Sequence, residues 1–258
     1  MIALSTLRKT KGIGSKTLER IIEQHNEDLG LQAYRSSYKP SETYKVDKNI
    51  NLWLGDCIEL MEHIPDKSVD MVLCDLPYGT TACSWDTIIP FEPLWDNYKR
   101  IIKDNGAIVL FGCEPFSTKL RSSNLDWYRY DWVWVKEQGV NFLLANKQPL
   151  KVHEIVSIFS KKQTIYNAQE TKGKPYISGK GTSGAVTGNV IKKITHNKGT
   201  RKPKSLLKFN RETGLHPTQK PVALLEYLIK TYTNEGETVL DNTMGSGSTG
   251  VACKNTNR

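Results

Sequence analysis

The stretch Val69-Asp70-Met71-Val72-Leu73-Cys74-Asp75-Leu76-Pro77-Tyr78 decides how the rest of the chain is read. Its first six residues (VDMVLC) form a short apolar run of the kind that fills a buried strand. An acid and then a proline follow at once and close it. Outward from there, Ile50–Leu54 and Ala107–Phe111 (AIVLF) read as strands, with Tyr128–Val135, Glu154–Phe159 and Glu237–Leu240 as further ones. Cys57–His63, Trp95–Ile102 and Pro221–Tyr232 read as helices between them. Strands alternating with helices imply an α/β domain with a mainly parallel central sheet covered by helices on both faces. The 258 residues suffice for one such domain and a small appendage.

In an open sheet of this kind, ligands bind beyond the carboxyl ends of the strands, which puts Asp75, Leu76, Pro77 and Tyr78 in the expected site. A carboxylate beside a backbone carbonyl offers two acceptors, suited to an amine with two N–H donors. Proline holds the turn, and tyrosine supplies a flat face for stacking. Together they describe a receptacle for a planar base bearing an amino group, although the same four residues would also serve an ordinary strand end. A second motif, Asp241-Asn242-Thr243-Met244-Gly245-Ser246-Gly247-Ser248-Thr249-Gly250, follows the strand ETVL. Its glycines allow a tight turn and close approach of backbone to a ligand, and the helix after it offers free N–H groups. It lacks the terminal Lys-Ser/Thr of a nucleotide-triphosphate loop. His216-Pro217-Thr218-Gln219-Lys220-Pro221 precedes a helix, where polar and cationic groups suit a carboxylate. Asp56, after Gly55, places an acid at the end of INLWL.

The charge is unevenly placed. Residues 161–211 hold thirteen Lys and Arg against one acid, Glu170, a local +12, so the remainder carries −3 of the total +9. Concentrated charge of this kind points to a polyanion. The segment has little apolar periodicity and reads as poorly ordered without a partner. The amino-terminal residues 1–30 read as two short helices around Gly12-Ile13-Gly14, with Ser15 as helix cap, and 31–48 as a linker. Five scattered cysteines, never spaced as CxxC, oppose a zinc site or a disulfide framework and fit a reducing cytoplasm. No apolar run reaches the roughly 18 residues of a membrane span.

DLPY, HPTQKP and DNTMGSGSTG, in that order, resemble the β-class of DNA amino-methyltransferases over about residues 50–258. The resemblance implies a Rossmann-like fold dependent on S-adenosylmethionine, with no metal. Asp75 and the Leu76 carbonyl would accept hydrogen bonds from the N6 amine of an extruded adenine, with Pro77 and Tyr78 completing the motif and Tyr78 stacking on the base. The cofactor would lie against Asp56, Cys57, Asp75, His216, Thr218, Gln219, Lys220, Asp241, Met244, Gly245, Ser246, Gly247, Ser248 and Thr249. Here Lys220 and its neighbours take the carboxylate and Asp56 the adenine. Leu76 stands where the family usually has proline, and Thr243 where it usually has phenylalanine. Asp75 favours adenine-N6 over cytosine-N4 chemistry, the nearest alternative; a catalytically impaired DNA-binding protein is another.

The same resemblance makes 161–211 a target-recognition insertion, with Lys192, Lys193, Arg201, Lys202 and Lys204 on double-stranded DNA. The segment LRKTKGIGSKTLERII resembles a helix-hairpin-helix, in which Gly12, Ile13, Gly14 and Lys16 would grip a phosphate. A homodimer and a cognate nuclease on another chain are the further partners it admits. The family pattern also continues past the position of Arg258 through one more strand, whose terminal acid binds the cofactor ribose, and a helix. This chain therefore reads as shortened unless another segment fills the sheet.

Overall fold

The protein is described by a computed structural model covering residues 2–6, 42–47, 49–81, 83–178, 181–182, 191–192, 194–212, 214 and 218–258, with backbone alone at 2–6, 42–47, 181–182 and 191–192. In chain order the first elements are β1 (Ile2–Thr6), β2 (Glu42–Asp47), β3 (Ile50–Gly55), α1 (Cys57–Met61), β4 (Val69–Cys74), α2 (Phe91–Ile101) and β5 (Ile102–Gly112). Next come α3 (Phe116–Ser122), β6 (Tyr128–Val140) and β7 (Lys151–Phe159). The short strands β8 (Thr171–Lys172), β9 (Tyr176–Ser178), β10 (Gly181–Thr182), β11 (Ile191–Lys192), β12 (Thr195–Asn197) and β13 (Thr200–Arg201) follow. The chain then forms β14 (Leu206–Lys208), α4 (Val222–Tyr232), β15 (Val239–Asp241) and α5 (Ser248–Asn255).

Nine strands form one sheet in the order β14-β6-β7-β5-β4-β15-β1-β3-β2. Pairing is parallel except where β7 runs between β5 and β6 and where β2 borders β3. Side chains alternate across a strand, and β4 uses that period to fill two cores. Met71 and Leu73 join a cluster with Leu224, Leu225, Leu228 and Ile229 of α4. Val72 and Cys74 join a second with Leu60 of α1, Leu94 and Tyr98 of α2 and Leu120 of α3. Helices thus cover both faces, as expected of buried parallel strands. Arg100 of α2 fastens one of these layers, donating to the Met61 and Ile64 carbonyls, each at 2.7 Å. This satisfies acceptors that a helix end leaves open.

Two expectations change at the amino-terminal side. Ile2–Thr6, read as the start of a helical hairpin, is a strand. It runs parallel to β15 on one side, with Ile2 opposite Leu240, and to β3 on the other, with Ile2 opposite Asn51. Glu42–Asp47, read as linker, is a sheet-edge strand. Both are short and lack an apolar run of their own; the sheet positions they fill determine their conformation, a tertiary effect that local pattern does not carry. The rest of the expected hairpin, including Gly12, Ile13, Gly14 and Lys16, lies outside the described residues. β1 occupies the sheet position beside the glycine loop's strand, and its residues IALST include no acid.

Residues 168–204 form a second compact unit. It is not a featureless segment: three small antiparallel ladders pair β8 with β13, β9 with β12 and β10 with β11. Arg201 holds this unit together, its guanidinium 4.8 Å from the centre of the Tyr176 ring and donating to Asn197 Oδ1 at 2.9 Å. Lys202 pairs with Glu170, and Lys204 is exposed. Lys192 is described in backbone only, and Lys193 lies outside the described residues.

Candidate active site

Because β15 pairs in parallel with β4, the turns that leave their carboxyl ends lie side by side. The DLPY turn follows β4 and the glycine turn follows β15. Two contacts bind them, and Tyr98 of α2 braces the second. Thr243 Oγ1 donates to the Asp75 carbonyl at 3.1 Å. Cys74 Sγ–H donates to Asn242 Oδ1 at 2.7 Å, and the Tyr98 hydroxyl donates to the same oxygen at 2.6 Å. Burial raises the Cys74 thiol well above its ordinary range, so it stays protonated as a structural donor, not a nucleophile.

Asp75 is the hub of a compact charged cluster. Its Oδ2 accepts from Lys220 Nζ at 2.5 Å and its Oδ1 from the Tyr78 hydroxyl at 2.6 Å. Lys220 also lies 3.4 Å from Glu154 Oε2, and Glu154 Oε1 accepts from Lys136 at 2.5 Å. Two carboxylates and two ammonium groups therefore balance in a largely dry setting, with Lys220 8%, Lys136 11%, Glu154 13% and Asp75 27% exposed. Burial pushes the Asp75 carboxyl upward; Lys220 opposes this only in part and Glu154 adds to it. Burial acts in the same sense on Glu154, but Lys220 and Lys136 outweigh it and hold that carboxyl low. Burial also works against the charge on Lys220, yet Asp75 and Glu154 together raise it. The favoured state is an ionised cluster in which Asp75 is the most easily protonated acid.

The DLPY turn is well braced. Leu76 is 3% exposed and sits in the core, so the residue at this position presents backbone to the site. The Tyr78 ring lies 5.0 Å from that of Phe116 at 30°, packed along one side. Burial, reinforced by Asp75 and Glu154, raises the Tyr78 phenol well above its usual range, so it remains a donor. Asp86 holds the chain that follows, its carboxylate accepting from the backbone N–H groups of Gly79, Thr80 and Thr81 at 2.8, 2.8 and 2.7 Å. Burial acts against ionisation of Asp86, but these amides prevail and lower its pKa.

On the β15 side, Asp241 is 6% exposed. Burial pushes its carboxyl up to about 6, against hydrogen bonds from Thr249 and the Thr243 amide. Gly247 adopts φ +80°, a left-handed conformation that favours glycine, and leads into α5 at Ser248. Ser246 and Ser248 bond to one another at 2.9 Å, Thr249 is buried, and Met244 packs into the core. Gly245 belongs to the same turn. Asp56 caps α1 by accepting from the Ile58 amide at 2.8 Å, while the Cys57 side chain is fully buried. β3, which Asp56 follows, lies two strands beyond β15, about 10 Å at ordinary strand spacing.

The HPTQKP segment divides. His216 lies outside the described residues. Lys220, expected to face a cofactor carboxylate, donates to Asp75 Oδ2. Gln219 donates to Glu212 at 3.4 Å and buries its Oε1 without a hydrogen-bond partner among the described residues. Thr218 stands beside it in a turn. Sequence reading missed Lys136, Glu154 and Asp86. None belongs to a motif, and Lys136 and Glu154 lie among other charged and polar residues of β6 and β7.

Comparisons with known proteins bear on the fold and the family. The chain is 28% identical over 223 residues to the type II methyltransferase M.HpaI of Haemophilus parainfluenzae, covering 79% of this chain and 66% of that one. It therefore spans just under two thirds of that relative's length. It is 25% identical over 240 residues to the type II methyltransferase M2.MboI of Moraxella bovis, covering 80% of this chain and 79% of the other. Among solved structures, the PvuII cytosine-N4-specific DNA methyltransferase superposes with a TM-score of 0.57 at 17% identity, covering 79% of this chain and 77% of that chain. The M1.HpyAVI–SAM complex does so with 0.52 at 23%, covering 79% and 88%. At these identities the likeness establishes the fold. The model of the DNA methylase family named for N6 and N4 transfer matches residues 69–258, which takes in β4, the DLPY turn, the charged cluster and the glycine turn, and the chain belongs to that family.

Proposed function

We propose that the protein transfers a methyl group from S-adenosylmethionine to the exocyclic N6 amine of an adenine turned out of duplex DNA. The observation that carries this reading is the Asp75 carboxylate, braced by Lys220 and Tyr78 at the end of β4, directly beside the glycine turn of β15. The residues fit the cofactor. Asp241 is a buried carboxylate for an ammonium group, and the left-handed Gly247 and the start of α5 leave room and N–H donors for a carboxylate. Asp56, two strands away, suits the nucleoside end.

When bound, the cofactor supplies an electrophilic methyl group on a sulfonium. Asp75 and the Leu76 carbonyl accept the two amine hydrogens, turning the nitrogen lone pair toward the neighbouring turn. Tyr78 offers its ring to the base. The product nitrogen carries one proton too many, and Asp75, the most easily protonated acid of its cluster, is placed to receive it. Glu154 and Lys136 stand behind Lys220 and hold it in line. No covalent enzyme intermediate is involved. The exposed lysines of 168–204, Lys204 among them, supply phosphate contacts whose affinity falls with salt.

The test is transfer from labelled S-adenosylmethionine to unmethylated duplex DNA, digested to nucleosides, with Asp75→Ala alongside. N6-methyladenine from the wild type alone is the expected product. N4-methylcytosine would place the target wrongly, and equal product from Asp75→Ala would remove the proposed acceptor.

A further inference from the structure

The most exposed apolar cluster among the described residues is the turn joining β6 to β7. Phe142 is 74% exposed, Leu143 85%, Leu144 40% and Leu150 43%. Exposed apolar groups gathered on a protruding tip mark a contact surface, unlike scattered ones. The tip is also preformed. Asn141, at φ +66°, turns the chain into a single 3-10 turn over Phe142–Leu144. The amides of Leu144, Ala145 and Lys147 then bond back to the carbonyls of Asn141, Phe142 and Leu144 at 2.9, 3.0 and 2.8 Å. The side chains are displayed on a turn whose backbone is already hydrogen-bonded, so little backbone entropy is lost when they are buried.

Two observations name the occupant. First, β7 leaves the knob at Lys151 and within three residues reaches Glu154 in the charged cluster around Asp75. At ordinary strand rise Lys151 stands about 10 Å from Glu154, and the register that sets Ile155 opposite Gly112 and Cys74 opposite Leu110 puts the turn before β7 at the same edge of the sheet as Asp75, so whatever covers the knob must leave Asp75 accessible to its substrate. Second, residues 141–151 contain Lys147 and Lys151 and no acid, a charge that complements phosphates flanking an apolar contact. We propose that Phe142 and Leu143 form a wedge that enters the base stack of duplex DNA beside the target and fills the space an extruded base leaves. Apolar wedges between base steps are an established way to offset unstacking. The inference rests on the methyltransferase reading for its substrate and for the second assay below, but not for the first.

Two assays of the full chain carrying Phe142→Ala and Leu143→Ala separate the two ideas. In the first, relaxed closed-circular plasmid is incubated with protein and topoisomerase; wild type should leave the DNA unwound after deproteinisation, and the double variant should not. In the second, methyl transfer is measured on a duplex bearing the mapped target adenine opposite thymine, or opposite an abasic site. The variant should lose about 10- to 100-fold in kcat/KM on the paired duplex and less than about 3-fold on the abasic one. Plasmid unwinding without methyl transfer would leave the wedge standing and sink the enzymatic reading. Equal loss on both duplexes, no loss on either, or a wild type that fails to unwind plasmid would overturn the wedge. A change of sedimenting mass in the variant would also overturn it, by assigning the knob to a second copy of the chain.

Discussion

Replacing Lys220 by methionine keeps the side-chain length and removes the positive charge at the centre of the cluster. Lys220 Nζ lies 2.5 Å from Asp75 Oδ2 and 3.4 Å from Glu154 Oε2. At an effective dielectric of about 20 and a separation of about 3 Å, each such contact is worth roughly 5 kcal/mol. Relief from burying the ammonium returns part of this, and removal of one partner from a buried pair costs about 3–5 kcal/mol net. The substitution leaves Asp75 without its ammonium partner and Glu154 with Lys136 alone, so urea unfolding should report a loss of that size. A second consequence concerns pH. In the proposed reaction Asp75 must be ionised to accept the amine, so turnover should be present above its pKa and lost as pH falls through it. Lys220 lowers that pKa and Glu154 raises it. Lys220→Met should therefore move the acid limb of kcat/KM upward, and Glu154→Gln should move it downward. The double variant, with one carboxylate and one ammonium left, should be more stable than the two single losses predict. An acid limb that stays put in both single variants, or moves the same way in both, would refute the coupling inferred from these distances.

Two further outcomes follow from the same geometry. Asp86→Asn keeps one acceptor oxygen for three amides and loses the charge, so it should cost about 2–3 kcal/mol in denaturant unfolding and raise the KM for DNA by loosening the turn after Tyr78. In the proposed cofactor site Asp241 must be ionised to hold the ammonium group, and its carboxyl is pushed up to about 6. Calorimetric cofactor affinity should accordingly fall about tenfold per pH unit below 6, and Asp241→Asn should bind weakly at every pH. Stability of the ligand-free protein moves oppositely: a raised carboxyl pKa favours the folded state at low pH and withdraws that advantage as pH rises through 6. A pH-independent affinity would remove Asp241 from the ammonium site.

Much of this architecture is legible in the amino-acid sequence. The VDMVLC run and the two turn motifs mark β4, β15 and the turns that leave them, because each signal is local. Lys220 shows the limit of that reading. Its place before α4 and its charge indicate an anion partner, but not which one, and the anion it meets is Asp75, 145 positions earlier. Lys136 and Glu154 carry no local signature, because their burial exists only once β6, β7 and the segment before α4 have come together. Asp86 is likewise one acid among many until the three amides it binds are folded around it. Ile2–Thr6 escapes for a different reason: five residues alternate too briefly to announce a strand, and its conformation follows from two flanking parallel neighbours.

The strap from Thr243 Oγ1 to the Asp75 carbonyl makes the donor turn and the acceptor turn a single thermodynamic part. A hydrogen bond of this type contributes about 1 kcal/mol, which corresponds to roughly a fivefold change in an equilibrium constant. If filling one turn strains or relaxes that strap, the other ligand's affinity shifts by up to that factor, and linkage makes the effect equal in both directions. On the proposed reading, cofactor and DNA are therefore partners in a shared equilibrium, and the order in which they arrive changes the route but not the free energy of the assembled complex.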